Sequence, residues 1–301
     1  MAILVDRKDR ILIQGITGRT GSRLAERMVR DRTPIVGGVT PGKGGGRVAG
    51  VPVYDSVDAA RADTGATATF IVVPPPFARD ACLEAVEAGV RLVVVYTEGV
   101  PLHDALDICA SARARGARLL GPNSAGCVTP GEANLSDLDE AHLRPGRVGV
   151  VSKSGTLTYE AVQGLHQAGW GESSIVCLGG DPVVATQYAE ILDLFEVDPA
   201  TDGVVLIGEV GGRAELAAAG VIRRMGKPVI AYVAGRKAPP GKRMGHAGAV
   251  VVRGQDTAEA KSAALRHAGA YVADQVTQVG ALIDRALRGR PARTAENGGR
   301  P

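Results

Sequence analysis

The sequence predicts a doubly wound α/β chain in two domains, and three observations lead to it. Short apolar runs alternate with longer amphipathic ones from end to end. Hydrophobic residues make up 45% of the chain but aromatics only 3%, so the core must be built from Val, Ile, Leu and Ala, as in buried parallel strands and close-packed helices. The 301 residues suggest two domains rather than one, and the alternation breaks once, near the middle.

Strands are predicted over Arg10–Gln14, Ile35–Val39, Thr69–Val73 and Arg91–Tyr96. Helices are predicted over Ser22–Arg30, Ala78–Ala88 and Asp104–Arg115. These elements assign residues 1–121 to a first domain. Residues 122–147 then carry Pro122, Pro130, Gly131, Pro145 and the acidic patch Asp137–Glu140, and read as an inter-domain connection. Residues 148–290 form the second domain. Its predicted strands are Val148–Val151, Ser174–Leu178, Val204–Ile207, Val229–Val233 and Ala249–Val252, and its helices are Thr156–Gln167, Val184–Phe195, Ala214–Met225 and Thr257–His267. Residues 291–301 are polar and glycine-rich, the composition of a disordered tail.

Bulk properties exclude several classes. A net charge of +3 is too small to argue for nucleic-acid or membrane-surface binding. The cysteines at 82, 109, 127 and 177 lack metal-ligand spacing and a disulfide framework, which fits a reducing, cytoplasmic setting. No apolar run is long enough to span a membrane, and the first residues, soon charged at Asp6–Arg7–Lys8, do not read as a signal peptide.

The most informative stretch is Gly241–Lys242–Arg243–Met244–Gly245–His246–Ala247–Gly248. It sets an imidazole among glycines and beside two cations, a suitable setting for a histidine that meets phosphate; a glycine-rich turn with a surface histidine is the alternative. Gly208–Glu209–Val210–Gly211–Gly212 ends a strand that should be buried. Its carboxylate is placed to orient a histidine through one ring nitrogen, or merely to cap the next helix. Gly15–Ile16–Thr17–Gly18–Arg19–Thr20–Gly21 lies between the first strand and the first helix, where phosphate-bearing ligands dock. The G-x-x-G-x-x-G spacing and the lack of an acid ending the second strand argue against NAD; a tight βα turn is the alternative. Gly37–Gly44 nearly matches a Walker A loop, but Gly44 stands where a Ser or Thr should meet magnesium. Lys43 could still hold a phosphate. Ser152–Lys153–Ser154–Gly155–Thr156 lies between a strand and a helix, as a second anion site or a plain helix cap.

Together with Tyr96–Thr97–Glu98–Gly99, Gly121–Pro122–Asn123, Leu157–Thr158–Tyr159–Glu160 and Gly179–Gly180–Asp181–Pro182, these motifs resemble the alpha subunit of the succinate–CoA ligases (succinyl-CoA synthetases), in family order over about residues 1–290. The resemblance implies an N-terminal Rossmann-like CoA-binding domain followed by a flavodoxin-like domain. It implies that Thr17, Gly18, Arg19, Thr20, Lys43, Tyr96, Thr97 and Glu98 line the CoA site. It makes His246 the phosphorylated residue and Glu209 its orienter. Ser152, Ser154, Gly155 and Thr156 would hold phosphate, and Tyr159 would lie at the acyl-substrate site. The implied enzyme belongs to the tricarboxylic acid cycle. It joins a small (di)carboxylate to CoA through phosphohistidine and acyl phosphate, with no metal held by this chain. Magnesium and ATP or GTP belong to an ATP-grasp beta subunit, in an αβ or α2β2 assembly inactive without it.

Some positions depart from the family pattern: Arg19 and Thr20, Ser124–Ala125, Ala133–Glu140 and Val183–Thr186. They leave the acyl substrate open between succinate, malate and another small carboxylate. A non-catalytic CoA-binding regulatory subunit is the alternative of a different class. An NAD(P)-dependent dehydrogenase is disfavoured by the glycine spacing.

Overall fold

The structure is a computed structural model describing residues 2–252 and 254–288; the predicted tail 291–301 lies outside the described residues. The first half runs β1 (Ile11–Gln14), α1 (Arg19–Arg30), β2 (Ile35–Val39), β3 (Arg47–Val48), β4 (Val51–Tyr54), α2 (Val57–Thr64), β5 (Ala68–Ile71), α3 (Pro75–Glu87), β6 (Leu92–Val95), α4 (Leu102–Ala114) and β7 (Arg118–Leu120). Strands β1, β5 and β6 are buried along their whole length, because helices cover both faces of a parallel sheet. Each fully buried Val, Ile or Leu there stabilises the fold by roughly 1.5–3 kcal/mol. The strand order is β3-β4-β2-β1-β5-β6-β7, and only the short β3 runs antiparallel to its neighbour β4. The winding reverses between β1 and β5, the switch point at which ligands meet a Rossmann-like sheet.

The second half runs β8 (Gly126–Thr129), β9 (Ala133–Ser136), β10 (Pro145–Ser152), α5 (Gly155–Gln167), β11 (Glu172–Cys177), α6 (Tyr188–Val197), β12 (Gly203–Glu209), α7 (Ala214–Ile222), β13 (Val229–Ala234), α8 (Ala258–His267), β14 (Tyr271–Val272) and α9 (Val279–Arg288). Its order is β14-β13-β12-β10-β11-β8-β9. The parallel core β11-β10-β12-β13-β14 has the flavodoxin-like winding, with its switch point between β10 and β12. Ser154 and Thr257 cap α5 and α8 by accepting from Leu157 N and Ala260 N, at 3.2 Å in each case.

Two expectations are corrected. Residues 122–147 are not merely a connection. They supply β8 and β9, an antiparallel pair added to the second sheet through β11. Pro130 stands in the turn between these short strands, and Leu135 and Leu138 are buried. Residues 249–252 form no strand: only an isolated bridge joins Val250 to Arg243, because the chain there folds back on the histidine loop instead of entering the sheet.

The two sheets are joined through the segment after β7. Gly121 N donates to Leu178 O (2.9 Å), Gly180 N to Asn123 O (3.1 Å) and Ser124 Oγ to Cys177 O (2.5 Å). The peptide between Gly121 and Pro122 is cis. These bonds place the carboxyl ends of β5 and β6 beside those of β10 and β11, so the two switch points face one another across a cleft.

Candidate active site

Residues 241–251 form a narrow excursion from the end of β13. Gly241 N donates to Val251 O and Met244 N to Ala249 O, both at 2.9 Å. His246 sits at its tip, after Gly245, whose φ of +84° a side-chain-bearing residue adopts only at a cost. The tip is pinned by Gly248 N donating to Gly180 O (3.0 Å). A Cβ on Gly180 would fall 2.3 Å from Cγ of His246. The glycines therefore permit a close seat for the ring; they do not simply expose it.

Glu209, the last residue of β12, reaches that ring. Its Oε2 lies 2.7 Å from His246 Nδ1. An ionised carboxylate only accepts, so Nδ1 carries the proton and the free lone pair of the ring is left on Nε2. The hydrogen bond to Glu209 is the largest cause raising the His246 pKa above its ordinary value. Burial opposes it, the charges of Glu209 and Glu98 add to it, and Lys153 works against it. Behind Glu209 lies a buried charge array. Glu209 N donates to Glu215 Oε1 (3.2 Å), and Lys261 Nζ donates to Glu215 Oε2 (2.5 Å) and Glu209 O (2.7 Å). Glu215 and Lys261 are fully buried. Lys261 thus ties the end of β12 to α8 and supplies the counter-charge that a buried carboxylate needs.

His246 lines a cavity of about 520 Å³ with Tyr96, Thr97, Glu98, Asn123, Asp137, Lys153, Ser154, Gly155 and Thr156. The cavity therefore joins the carboxyl edges of both sheets and the N-terminus of α5, where unpaired N–H groups and the helix dipole favour an anion. A longer groove of about 820 Å³ runs over the first switch point, lined by Gly15, Thr17, Gly18, Arg19, Thr20, Phe77 and their neighbours. Thr20, Val72, Val73 and Pro74 line both, so the groove opens into the histidine cavity.

The sequence-predicted residues divide accordingly. Thr17, Gly18, Arg19 and Thr20 line the groove, whereas Tyr96, Thr97 and Glu98 line the histidine cavity. Tyr96 OH donates to Asp137 Oδ2 (3.0 Å), Thr97 Oγ1 to Val73 O (2.6 Å), and Arg243 Nη2 to Glu98 Oε1 (3.4 Å). Lys43 sits on the exposed turn after β2 and lines neither space. Ser154, Gly155 and Thr156 line the cavity, but Ser152 does not. It is buried and turned inward, its hydroxyl donating to Ser154 O (2.9 Å) and accepting from Ser154 N (3.0 Å). Tyr159 also stands apart from the cavity. Its hydroxyl accepts from Asp139 N (2.6 Å), and its ring meets His142 edge-on in a separate pocket beside Arg144 and His166. The 137–144 segment draws it there, a long-range pairing that local spacing does not reveal.

Sequence reasoning assigned no role to Lys153, Asn123, Asp137, Gly180 or Asp181. Gly179–Gly180–Asp181 was visible as a motif, but its use as the seat of an imidazole depends on a loop some 65 residues later. Asp181 accepts from Gly99 N and Asn123 Nδ2, both at 3.2 Å, and burial raises its pKa. It braces Asn123 and the Glu98–Gly99 turn. Among the described residues no group of three or more His, Cys, Asp or Glu is placed to hold a metal ion, and no helix is long and apolar enough to cross a membrane.

Comparison with known proteins is consistent with this arrangement. Residues 6–99 match the family model described as CoA binding domain, and residues 151–271 the one described as CoA-ligase. The chain is 50% identical over 283 residues to alpha subunit 2 of the ADP-forming succinate–CoA ligase of Archaeoglobus fulgidus, covering 94% of this chain and 99% of the relative. It is 45% identical over 291 residues to the corresponding alpha subunit of Aquifex aeolicus, covering 96% and 95%. Among solved structures, ATP citrate lyase from Methanothrix soehngenii, in complex with citrate and coenzyme A, superposes with a TM-score of 0.87 at 26% identity; the match covers 95% of this chain and 50% of that one. With full-length relatives at this level of identity and both domain families matched in order, the chain belongs to the alpha-subunit family of the ADP-forming succinate–CoA ligases.

Proposed function

We propose that His246 is the residue through which this ligase subunit passes a phosphoryl group, and that the groove over Thr17–Thr20 receives CoA. The single observation that carries the reading is the 2.7 Å contact from Glu209 to His246 Nδ1, which leaves Nε2 free in a cavity continuous with the groove. In the first step the Nε2 lone pair attacks the terminal phosphorus of a nucleoside triphosphate, and the bond to the diphosphate breaks. Glu209 keeps the Nδ1 proton and stabilises the positive ring. The substrate carboxylate then takes the phosphoryl group, and the electron pair of the N–P bond returns to Nε2. The CoA thiolate finally displaces phosphate from the acyl phosphate. Ser154, Gly155 and Thr156, at the start of α5, hold the phosphoryl oxygens.

The nucleotide and its magnesium belong to a beta subunit, which we assign to the ATP-grasp type; without it this chain does not turn over. The names of the relatives at 43–50% identity support succinate and ADP. Nothing in the site favours malate, another carboxylate or a purely regulatory role. Residues 1–121 are assigned to CoA binding and residues 148–290 to phosphoryl transfer. The test is phosphorylation of this chain with its beta partner, magnesium and γ-labelled ATP, beside His246→Asn. Acid-labile, base-stable label that succinate plus CoA discharges is the expected result. Label persisting in the variant would overturn the assignment.

A further inference from the structure

Lys153 is the one lysine or arginine among the residues that line the histidine cavity. It stands in the turn between β10 and α5, its backbone N donating to Ile207 O at 3.2 Å, so its base is fixed to β12. Its side chain is 12% exposed. Nζ lies 4.0 Å from Glu209 Oε1 and 3.8 Å from Glu215 Oε1. Both distances are too long for hydrogen bonds, and Nζ makes none among the described residues. Glu209 Oε1 is likewise buried without a hydrogen-bond partner. The three donors of its ammonium need acceptors, and because Lys153 lines the cavity an anion bound there can supply them.

The charge balance of the cavity gives that ammonium a task. Its other charged lining residues are Glu98, Asp137 and His246, with Glu209 directly behind the ring. Glu98 is paired with Arg243 Nη2 (3.4 Å) and Asp137 with Arg23 Nη2 (3.6 Å), which leaves Glu209 as the carboxylate that would repel an incoming phosphoryl group. The N-terminus of α5 offsets only about half a charge. A full positive charge is needed for the cavity to accept a dianionic group, and Lys153 alone among these residues supplies a permanent one.

We propose that Lys153 is a catalytic residue of phosphoryl transfer: its ammonium hydrogen-bonds a non-bridging oxygen of the group carried on His246 Nε2 and balances its charge. This rests on the phosphohistidine reading above. On discharge a lone pair of the carboxylate oxygen forms the P–O bond, the N–P bond breaks, and its electron pair returns to Nε2. Lys153 remains an ammonium throughout and transfers no proton. Between transfers it pairs with Glu209 and Glu215, which explains its place between them. Because its charge also opposes protonation of His246, its loss moves the acid limb of the phosphorylation rate to higher pH. Glu209, Glu98 with its partner Arg243, Asp137, Glu215 and Lys261 are then the charges remaining around the ring.

The assembled enzyme with its beta partner provides the test. Rapid-quench label formation from γ-labelled ATP, and discharge by succinate plus CoA, are compared in wild type, Lys153→Met and Lys153→Arg, with CoA affinity measured by calorimetry. Lys153→Met should slow both steps about 100-fold and raise the acid limb, with CoA affinity within about twofold of wild type. Lys153→Arg should recover at least about tenfold of the lost rate. Wild-type rates in Lys153→Met, or an arginine variant no better than the methionine one, would overturn the proposal alone. Wild-type enzyme that takes no label would overturn the phosphohistidine reading together with it.

Discussion

Nδ1 of His246 and Oε2 of Glu209 lie 2.7 Å apart although 37 positions separate the two residues. One comes from a loop tip and the other from the end of a buried strand. The contact sets the tautomer of the ring and supports the charge that it gains on phosphorylation. Glu209→Gln keeps the shape and removes the charge. It should slow phosphohistidine formation about 10²–10⁴-fold while CoA affinity measured by calorimetry stays unchanged.

The pH dependence follows from the same pair. Glu209 raises the His246 pKa above 6.5, and only the unprotonated ring has a lone pair at Nε2. The rate of phosphorylation should therefore fall as pH drops through a value above 6.5. Glu209→Gln removes the largest cause of the shift, so its acid limb should move to lower pH. Single-turnover labelling from pH 5.5 to about 8.5 checks both, and identical limbs would contradict the coupling.

Gly180→Ala tests the seat of the imidazole. The added methyl would fall 2.3 Å from Cγ of His246, so the ring must move. Displacement of about 1 Å should cost about 100-fold in labelling rate. CoA binding should change little, since Gly180 does not line the groove.

Gly21→Ala tests the groove separately. Its Cβ would fall 2.2 Å from Gly15 O and 2.8 Å from Ile16 Cα, forcing α1 away from the first turn. Overpacking of this kind costs about 1–3 kcal/mol. We expect CoA affinity about tenfold weaker by calorimetry, and label formation on His246 close to wild type.

Lys261→Met should destabilise the chain by about 3 kcal/mol in urea unfolding, because it removes the hydrogen-bonded counter-charge of buried Glu215 and leaves only Lys153, 3.8 Å away. Glu215→Gln in the same chain should return part of that loss. Independent effects of the two substitutions would contradict the pairing.

Much of the fold was legible because its signals are local. β1, β2, β5, β6, β12 and β13 begin and end within a few residues of their predicted positions, since continuous apolar runs bounded by glycine and polar residues identify buried parallel strands. β3, β4 and β14 escaped because two- to four-residue strands carry little pattern. β8 and β9 escaped because prolines and acidic residues around them resemble a linker, while their pairing with β11 is a long-range event. Within the site, His246 and Glu209 were visible from residue type and position at strand or loop ends. Lys153 was legible only as part of the Ser152–Thr156 anion-site motif, without a role of its own, and Asp137 was not, because an aspartate in an acidic patch is ordinarily solvated.

The amino-acid order alone determined the doubly wound class, the glycine-rich turns at the ends of β1 and β12, the hydroxyl-bearing turn after β10, and a histidine able to meet phosphate. Tertiary structure decided which of these turns share a cavity. Docking of residues 121–124 against 177–180 turns the two switch points toward each other and seats His246 on Gly180. The same docking gives Asp137 to the cavity and draws Tyr159 away to Asp139. The physical reason is that periodicity and turn chemistry act over a few residues, whereas the charge balance around His246 is summed over groups brought together from across the chain.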